Sequence, residues 1–427
     1  HLSDPCPTTK PDFLCHSLGS KSITSDLAKK SSQSLSERSM INSTLFVIIL
    51  ATVQGLFEVS GLATFYYQKN ELKLEPAFIQ MVGGIIGLPW CIKPLFGYAT
   101  DQMVNKFKRT KYIIMMTSTI RIVCYSALAH YKVGVWGYYT FAFVNCLCAL
   151  FENIISEYIL VLISKRANER DNGGKNNKLP YFFGFRAAGA LIGTFSGGRI
   201  IKYYGLSTTF YISSLLPIIS LFACMAYRER PVEVPEQERR SFKQEMRVMK
   251  QLVCQDKVLM MVVFIVLLNL TPMFDTLISF YLTDFLKFGS EDLSNFGSFA
   301  TVCYIAGLIL YSNFFKDVDP RKFYMTTNFI LWGLNLSFLL VVTKTLDRWG
   351  IDNKLFCFLS QGVSTFIAEM NFMPILAIWV SIVPRNLEAT SITLFSGLLN
   401  LSGNLANYFG CLILWVLAIH KDNFDQI

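Results

Sequence analysis

Charge is what this 427-residue chain has least of: Asp, Glu, Lys and Arg make up 16% of it, against about 25% in soluble domains. That scarcity excludes the soluble, multidomain protein that length alone would suggest. Metal-ligand spacing is missing too. The 11 cysteines fall mostly inside apolar runs (Cys91, Cys124, Cys146, Cys148, Cys303, Cys411) and are read as packing residues, with no disulfide framework. There is no phosphate-cradling glycine loop, zinc motif or nucleophile elbow, so neither an enzyme nor a cofactor is expected. No cleavable signal is visible, and the chain does not begin with methionine, so its start is read as cut or processed.

Apolar length is present instead. Hydrophobic residues are 52% of the chain and aromatics 14%, gathered into runs of roughly the 20 residues that a bilayer-crossing helix needs. Eleven such spans fall near 44–67, 77–98, 112–131, 137–164, 181–203, 207–227, 258–286, 295–315, 323–343, 354–382 and 388–419. The expected fold class is therefore an all-α, polytopic membrane protein. Residues 1–43 are serine-rich and lack apolar periodicity, which predicts a disordered tail. A polar, basic segment over 228–257, with Pro231 and Pro235, reads as a linker between a first group of spans (44–227) and a second (258–427).

The net charge of +9 has a membrane logic and does not imply nucleic acid. Lys and Arg concentrate in the loops after even-numbered spans. The positive-inside rule makes those loops cytoplasmic, together with the amino terminus and its Lys21, Lys29, Lys30 and Arg38.

Several charges nevertheless interrupt the apolar runs: Glu58, Lys93, Arg121, Glu152, Glu157, Arg186, Asp275 and Glu369. Each costs roughly 2.5–3.5 kcal/mol at the centre of a lone span, so they must pair or line a wet cavity. Gln54, Glu58 and Gly61 share a face of the first span, and Asn145, Glu152 and Ser156 share one on the fourth, with Glu157 beside them. Glu152 is either a substrate or proton site, or the buried partner of Arg121 or Arg186. Arg186 could bind a carboxylate through its planar fork or close a gate, and Lys93 has the same two readings. In the seventh span, Pro272 removes a backbone bond beside Asp275. That residue is either a site accepting N–H donors or part of a hinge. The glycines from Gly184 to Gly198 favour close helix packing. Asn400, Asn404 and Asn407 favour bridging between helices.

The run Gly87-Leu88-Pro89-Trp90-Cys91-Ile92-Lys93-Pro94-Leu95-Phe96-Gly97, followed by Asp101 and the cluster Lys106, Lys108, Arg109 and Lys111, resembles the loop between helices two and three of the major facilitator superfamily. More narrowly it resembles the folate–biopterin transporter family. The fifth span from Arg186 to Gly198 and the segment Ile382-Val383-Pro384-Arg385-Asn386-Leu387-Glu388-Ala389-Thr390 are similar to that family as well, and the malaria-parasite folate transporters are the branch most resembled. Val104-Asn105 stands where the superfamily usually has a second glycine.

The resemblance implies a major facilitator fold of two six-helix halves, with this chain stopping before helix twelve. It implies a monomer that takes up folates or pterins by alternating access, as a proton symporter, in the plasma membrane with its amino terminus in the cytoplasm. On that reading Glu152 and Asp275, with Phe151 and Phe274 as ring-stacking neighbours, meet the pterin, while Lys93 or Arg186 meets the glutamate carboxylates. Glu58 or Glu369, desolvated, carries the coupling proton, and Asp101, Lys108 and Arg109 form a cytoplasmic gate. The alternatives are a carrier of another organic anion or a cationic drug-like solute, and a non-transporting sensor or scaffold of the same fold.

Overall fold

The computed structural model describes residues 42–107, 109–170, 179–229, 241–382, 388–417 and 419. The expected amino-terminal tail up to residue 41, Lys108 and most of the 382–390 segment lie outside them. A bilayer offers the backbone no hydrogen-bond partners, so apolar chain must satisfy its own polar groups as helix. Helix covers each of the eleven expected spans.

Span 1 is Asn42–Glu71. Span 2 comprises Pro76–Cys91 and Lys93–Phe107, bent by 49° between Cys91 and Lys93. Span 3 is Lys111–His130 and span 4 Val135–Arg170. Spans 5 and 6 share Leu179–Ala226, turned at Gly205, whose φ of 87° and ψ of 177° suit only glycine. Span 7 is Asp256–Asn269 continued by Asp275–Phe280 and Tyr281–Phe285; span 8 is Ser290–Leu310 with Tyr311–Phe315. Span 9 is Pro320–Ser337 with Leu339–Val342, span 10 Asn353–Ile382 and span 11 Glu388–Val416. Among the described residues, seven helices are long and apolar enough to cross a bilayer, one of them being Phe182–Ala226, which Gly205 turns into spans 5 and 6.

The linker contains something its composition did not announce. Phe242–Val253 is a helix, opened by Ser241 and Gln244 in a reciprocal capping box and set at 84° to Asp256–Asn269. Its Lys243, Arg247 and Lys250 make it a surface helix, while Met249, Leu252 and Val253 pack against Val258, Met261 and Trp379. The face of the molecule that carries it is called the linker face here, and the opposite one the far face.

Four apolar clusters fill the bundle. Two draw on spans 1–6: Phe46, Ile114, Ile155 and Cys224 near the linker face, and Ala63, Tyr125, Tyr138 and Phe210 near the far face. The other two gather Ile265, Trp379 and Phe395, and Leu282, Val341 and Leu346.

The backbone also repeats itself. Spans 1 and 7 each end in a π-helical turn, Tyr67–Glu71 and Tyr281–Phe285. In each, the sixth residue accepts the same role: Leu72 N–H bonds to Tyr67 O (3.0 Å) and Leu286 N–H to Tyr281 O (3.1 Å). A lysine with positive φ follows in both, Lys73 at 52° and Lys287 at 55°. Span 1 is interrupted at 57–58 and span 7 at 270–274, at the matching distance before these turns.

Small residues bring the spans together. A Cβ added at Gly189, Gly193 or Gly197 would lie 2.3, 2.7 or 2.7 Å from the carbonyl oxygens of Thr52, Leu56 and Val59, so span 5 packs backbone to backbone on span 1. On its other side, Gly198 leaves no room for a Cβ against Ser290 O, and Ser294 Oγ donates to Thr194 O (2.9 Å). Gly193→Ala should therefore force spans 1 and 5 apart at a cost of about 1–3 kcal/mol and lower the thermal unfolding midpoint in detergent. Gly184→Ala, which meets nothing within 4 Å, should leave it unchanged.

Candidate transport site

Span 4 carries two acids five residues apart, Glu152 and Glu157, and a helix turns them about 140° away from each other. Each finds a different cation. Glu152 faces span 3, where Arg121 Nη1 donates to its Oε2 at 2.6 Å, both side chains being about 5% exposed or less (4% and 5%). Thr117 Oγ1 and Ser118 Oγ donate to Oε1 at 3.1 and 3.4 Å. Arg121 Nε donates to Asn145 Oδ1 at 3.3 Å, and its guanidinium lies 3.4 Å over the Phe57 ring. This charge pair is fully satisfied and closed in.

Glu157 shares its face with Asn153, one turn earlier, and both meet Lys93 of span 2. Lys93 Nζ donates to Glu157 Oε1 and Oε2 at 2.8 and 2.9 Å and to Asn153 Oδ1 at 2.9 Å. Lys93 is 5% exposed at its side chain but Glu157 is 34% exposed. The bend after Cys91 is what aims Lys93 inward, since Ile92 leaves the helical region there (φ −105°, ψ 26°).

These residues border a cavity of about 450 Å³ whose described lining is Trp90, Lys93, Asn153, Glu157, Phe183, Arg186, Thr393, Ser396 and Asn400. Spans 2, 4, 5 and 11 supply them, all from the half nearer the linker face. Two aromatic faces, two cations, one carboxylate and four neutral polar groups converge here. Such a set can stack a flat ring, pair with carboxylates and still exchange with water.

Of the residues expected to bind substrate, Lys93 and Arg186 thus line the cavity together, while Glu152, Phe151, Phe274 and Asp275 are outside its described lining. Phe151 packs edge-on against Phe96, 5.6 Å between centroids. Phe274 and Asp275 open the second piece of span 7, where Asp275 is exposed; Ser279 Oγ donates to its carbonyl (2.8 Å), and no hydrogen bond or ion pair to its carboxylate occurs among the described residues. Glu58 is exposed at the interruption of span 1 and lies within electrostatic reach of Arg186. Glu369 is 8% exposed, and its Oε1 is buried without a partner among the described residues. It lies in span 10 against Gly307 of span 8. Among the gate residues, the Asp101 backbone is helical in span 2, Lys108 is outside the described residues, and Arg109 lies just before span 3.

Sequence reasoning passed over three features. Trp90 and Phe183 were hidden among many aromatics, and only their spacing from Lys93 and Arg186, three residues in each case, could have marked them. Glu157 was noted without a role, although Asn153 at i−4 shared its face. The third is a set of ion pairs at the far face. Lys69 of span 1 reaches Thr283 and Asp284 of span 7 (2.5 Å to Asp284), with its ammonium 4.9 Å from the Phe280 ring centre. Arg199 and Lys202 of span 5 pair with Glu291 of span 8.

Solved structures place this architecture. The chain superimposes on a crystal structure of the nucleoside transporter NupG with a TM-score of 0.65 at 14% identity, covering 87% of this chain and 90% of that one. A D-xylose–proton symporter gives 0.61 at 12% identity, covering 89% and 93%. The fold is that of the major facilitator transporters. In sequence, the chain is 24% identical over 384 residues to the folate–biopterin transporter of Synechocystis, spanning 90% of this chain and 77% of that one. It is also 24% identical to folate transporter 1 of Plasmodium falciparum, spanning 89% and 74%. The BT1 family model matches residues 54–427. The chain is a multi-pass membrane transporter and not an enzyme: it belongs to the BT1 family.

Proposed function

We propose that this transporter carries folates or pterins by alternating access between two helical halves, 44–227 and 258–427, coupled to protons. The observation that carries the reading is the cavity, where Trp90 and Phe183 flank two cations, Lys93 and Arg186. A pterin is a flat ring that stacks on aromatics, and the glutamate tail of a folate is a pair of carboxylates that guanidinium and ammonium groups bind. Asn153, Asn400, Ser396 and Thr393 offer acceptors and donors for the ring edge. The volume of about 450 Å³ falls within the range of about 300–1,000 Å³ typical of small-molecule sites. The names of the relatives agree with this chemistry.

The state of the two faces supports alternating access. The cavity belongs to the linker-face half, whereas the far face is held shut by Lys69–Asp284 and by Lys202 and Arg199 on Glu291. Basic loops put the linker face in the cytoplasm, so the conformation is inward-facing, and the membrane is the plasma membrane. Asp101, Lys108 and Arg109 would close the cytoplasmic side when the far face opens. Glu58, within electrostatic reach of Arg186, or Glu369, with an oxygen left unbonded in the bundle, carries the coupling proton; for Glu369 the ground is that an unpartnered buried acid is costly while charged. The molecule works as a monomer in the bilayer.

Arg186→Ala should weaken folic acid binding to the protein in detergent by tenfold or more, and binding of a pterin without a glutamate tail by much less; equal losses would exclude Arg186 from the tail site. Lys69→Met should leave folic acid binding intact but reduce counterflow in proteoliposomes, because the far face no longer recloses. Arg121→Met or Glu152→Met alone should destabilise by about 3–5 kcal/mol, and the double replacement by far less. Unfolding midpoints of the three variants would show whether the pair is scaffold.

A further inference from the structure

Among the described residues, the Lys93–Glu157 pair is the one ion pair that lines the cavity, and it has a property that Arg121–Glu152 lacks: one partner is buried and the other is open. Lys93 is fixed by span 2, by Asn153 and by both oxygens of Glu157. In the empty cavity, Glu157 therefore occupies the place on Lys93 that a ligand carboxylate would need. The other groups facing Glu157 sharpen the conflict. Span 5 brings Arg186 to the same cavity, and span 11 brings only the neutral Thr393, Ser396 and Asn400, so no second acid among the described lining shares the load. Two carboxylates cannot both remain charged on one ammonium in a space of this dielectric without several kcal/mol of repulsion.

We propose that Glu157 is the residue that links substrate binding to a proton: the carboxylate of an anionic substrate displaces Glu157 from Lys93, and Glu157 takes up one proton from water at the mouth of the cavity. An O–H bond forms on Glu157, Lys93 keeps its charge, and the neutral acid turns toward the solvent that its 34% exposure already gives it. On release of the substrate the proton leaves and the pair re-forms. The site thereby prefers anions that arrive with a proton, and a ring without a carboxylate draws no proton onto Glu157. This inference rests on the reading of the cavity as the substrate site and deepens it. It is separate from Glu58 and Glu369, which do not touch Lys93 among the described contacts.

The test is the pH dependence of binding, by calorimetry on the whole protein in detergent, with folic acid and tail-less pterin as probes. Over a range where both folate carboxylates are ionised, wild-type affinity for folic acid should weaken about tenfold per pH unit as pH rises, the slope of one proton taken up. The affinity for pterin should be level. Glu157→Gln should bind folic acid with a level profile, whereas Asp317→Asn, at an exposed turn between spans 8 and 9, should keep the slope. A level folic acid profile in the wild type, a slope shared equally by pterin, or a slope that survives in Glu157→Gln would each overturn the proposal while leaving the cavity reading intact. If the wild type binds neither probe, the cavity reading fails and this inference with it. The comparison of the two probes on the wild type decides the matter even where Glu157→Gln does not fold.

Discussion

A charge in a hydrocarbon slab must be paired or wetted, and the interior of this molecule is arranged around that constraint. Span 4 meets it in both ways within six residues. Glu152 is paired with Arg121 and accepts from Thr117 and Ser118, while Asn145 accepts from the other side of the guanidinium, and both charges are buried. Glu157 is paired with Lys93 but left on a cavity wall. A satisfied pair in low dielectric resists change because removing either partner strands a charge. A pair facing water can exchange partners, since solvent or a ligand takes over the bonds that are given up. The first arrangement suits a scaffold and the second a site.

The same division of labour appears in the contacts between spans. Spans 2 and 11 approach through Gly84 against Tyr408, Gly87 against Asn404 and Gly397 against the carbonyl of Cys91. The interruption of span 7 docks onto this pair: Gln80 Nε2 donates to Met273 O (2.6 Å) and Asn407 O (3.0 Å), and Met273 N–H donates to Ala406 O (3.2 Å). Pro272 would otherwise leave carbonyls unpaired in the membrane. Here the Met273 carbonyl and N–H find their partners on two other spans, Gln80 of span 2 and Ala406 O of span 11, so the break is tied to the seam between the halves. A side chain that holds a broken helix by its backbone fixes where that helix bends.

Much of this was legible in the sequence, and the physics says why. Span positions follow from apolar length, and the glycines of span 5 announced close packing. The charges inside the spans were visible as well, because each is expensive enough to stand out. What sequence left open was the helical phase between neighbours. Glu152 was open to Arg121, Arg186 or substrate, because spacing gives a face of span 4 but not which span lies opposite. Only the packing of span 3 on that face decides for Arg121. The π-helical turns at Tyr67–Glu71 and Tyr281–Phe285 have almost no residues in common, so the repeat lives in backbone geometry and not in side chains. The linker helix was overlooked because its charges argued for a coil, although Ser241 and Gln244 had the spacing of a capping box.

The far face shows how such a molecule can be closed and still be able to open. Its bridging pairs reach water to different degrees: Lys202 and Glu291 are 51% and 29% exposed, while Lys69 is 10% and Asp284 43% exposed. An exposed pair such as Lys202–Glu291 contributes roughly 0–1 kcal/mol, little enough to be released when a ligand favours the other arrangement. By contrast, spans 1 and 5 approach at glycine distances along three turns of backbone, which no small energy separates. Span 5 is thereby tied to span 1 over several turns, whereas it meets span 8 closely at one glycine, Gly198, with hydroxyl bonds from Ser290 to Gly198 O and from Ser294 to Thr194 O and Phe195 O. Arg186, whose carbonyl lies against Gly55 at the head of the same glycine row, is carried by the rigid pair. Lys93 is held by span 2. Both cations of the cavity thus belong to the first group of spans, while Thr393, Ser396 and Asn400 belong to the second. A substrate bound by all of them spans the seam and is felt by both sides, which is what coupling its presence to a change of access requires.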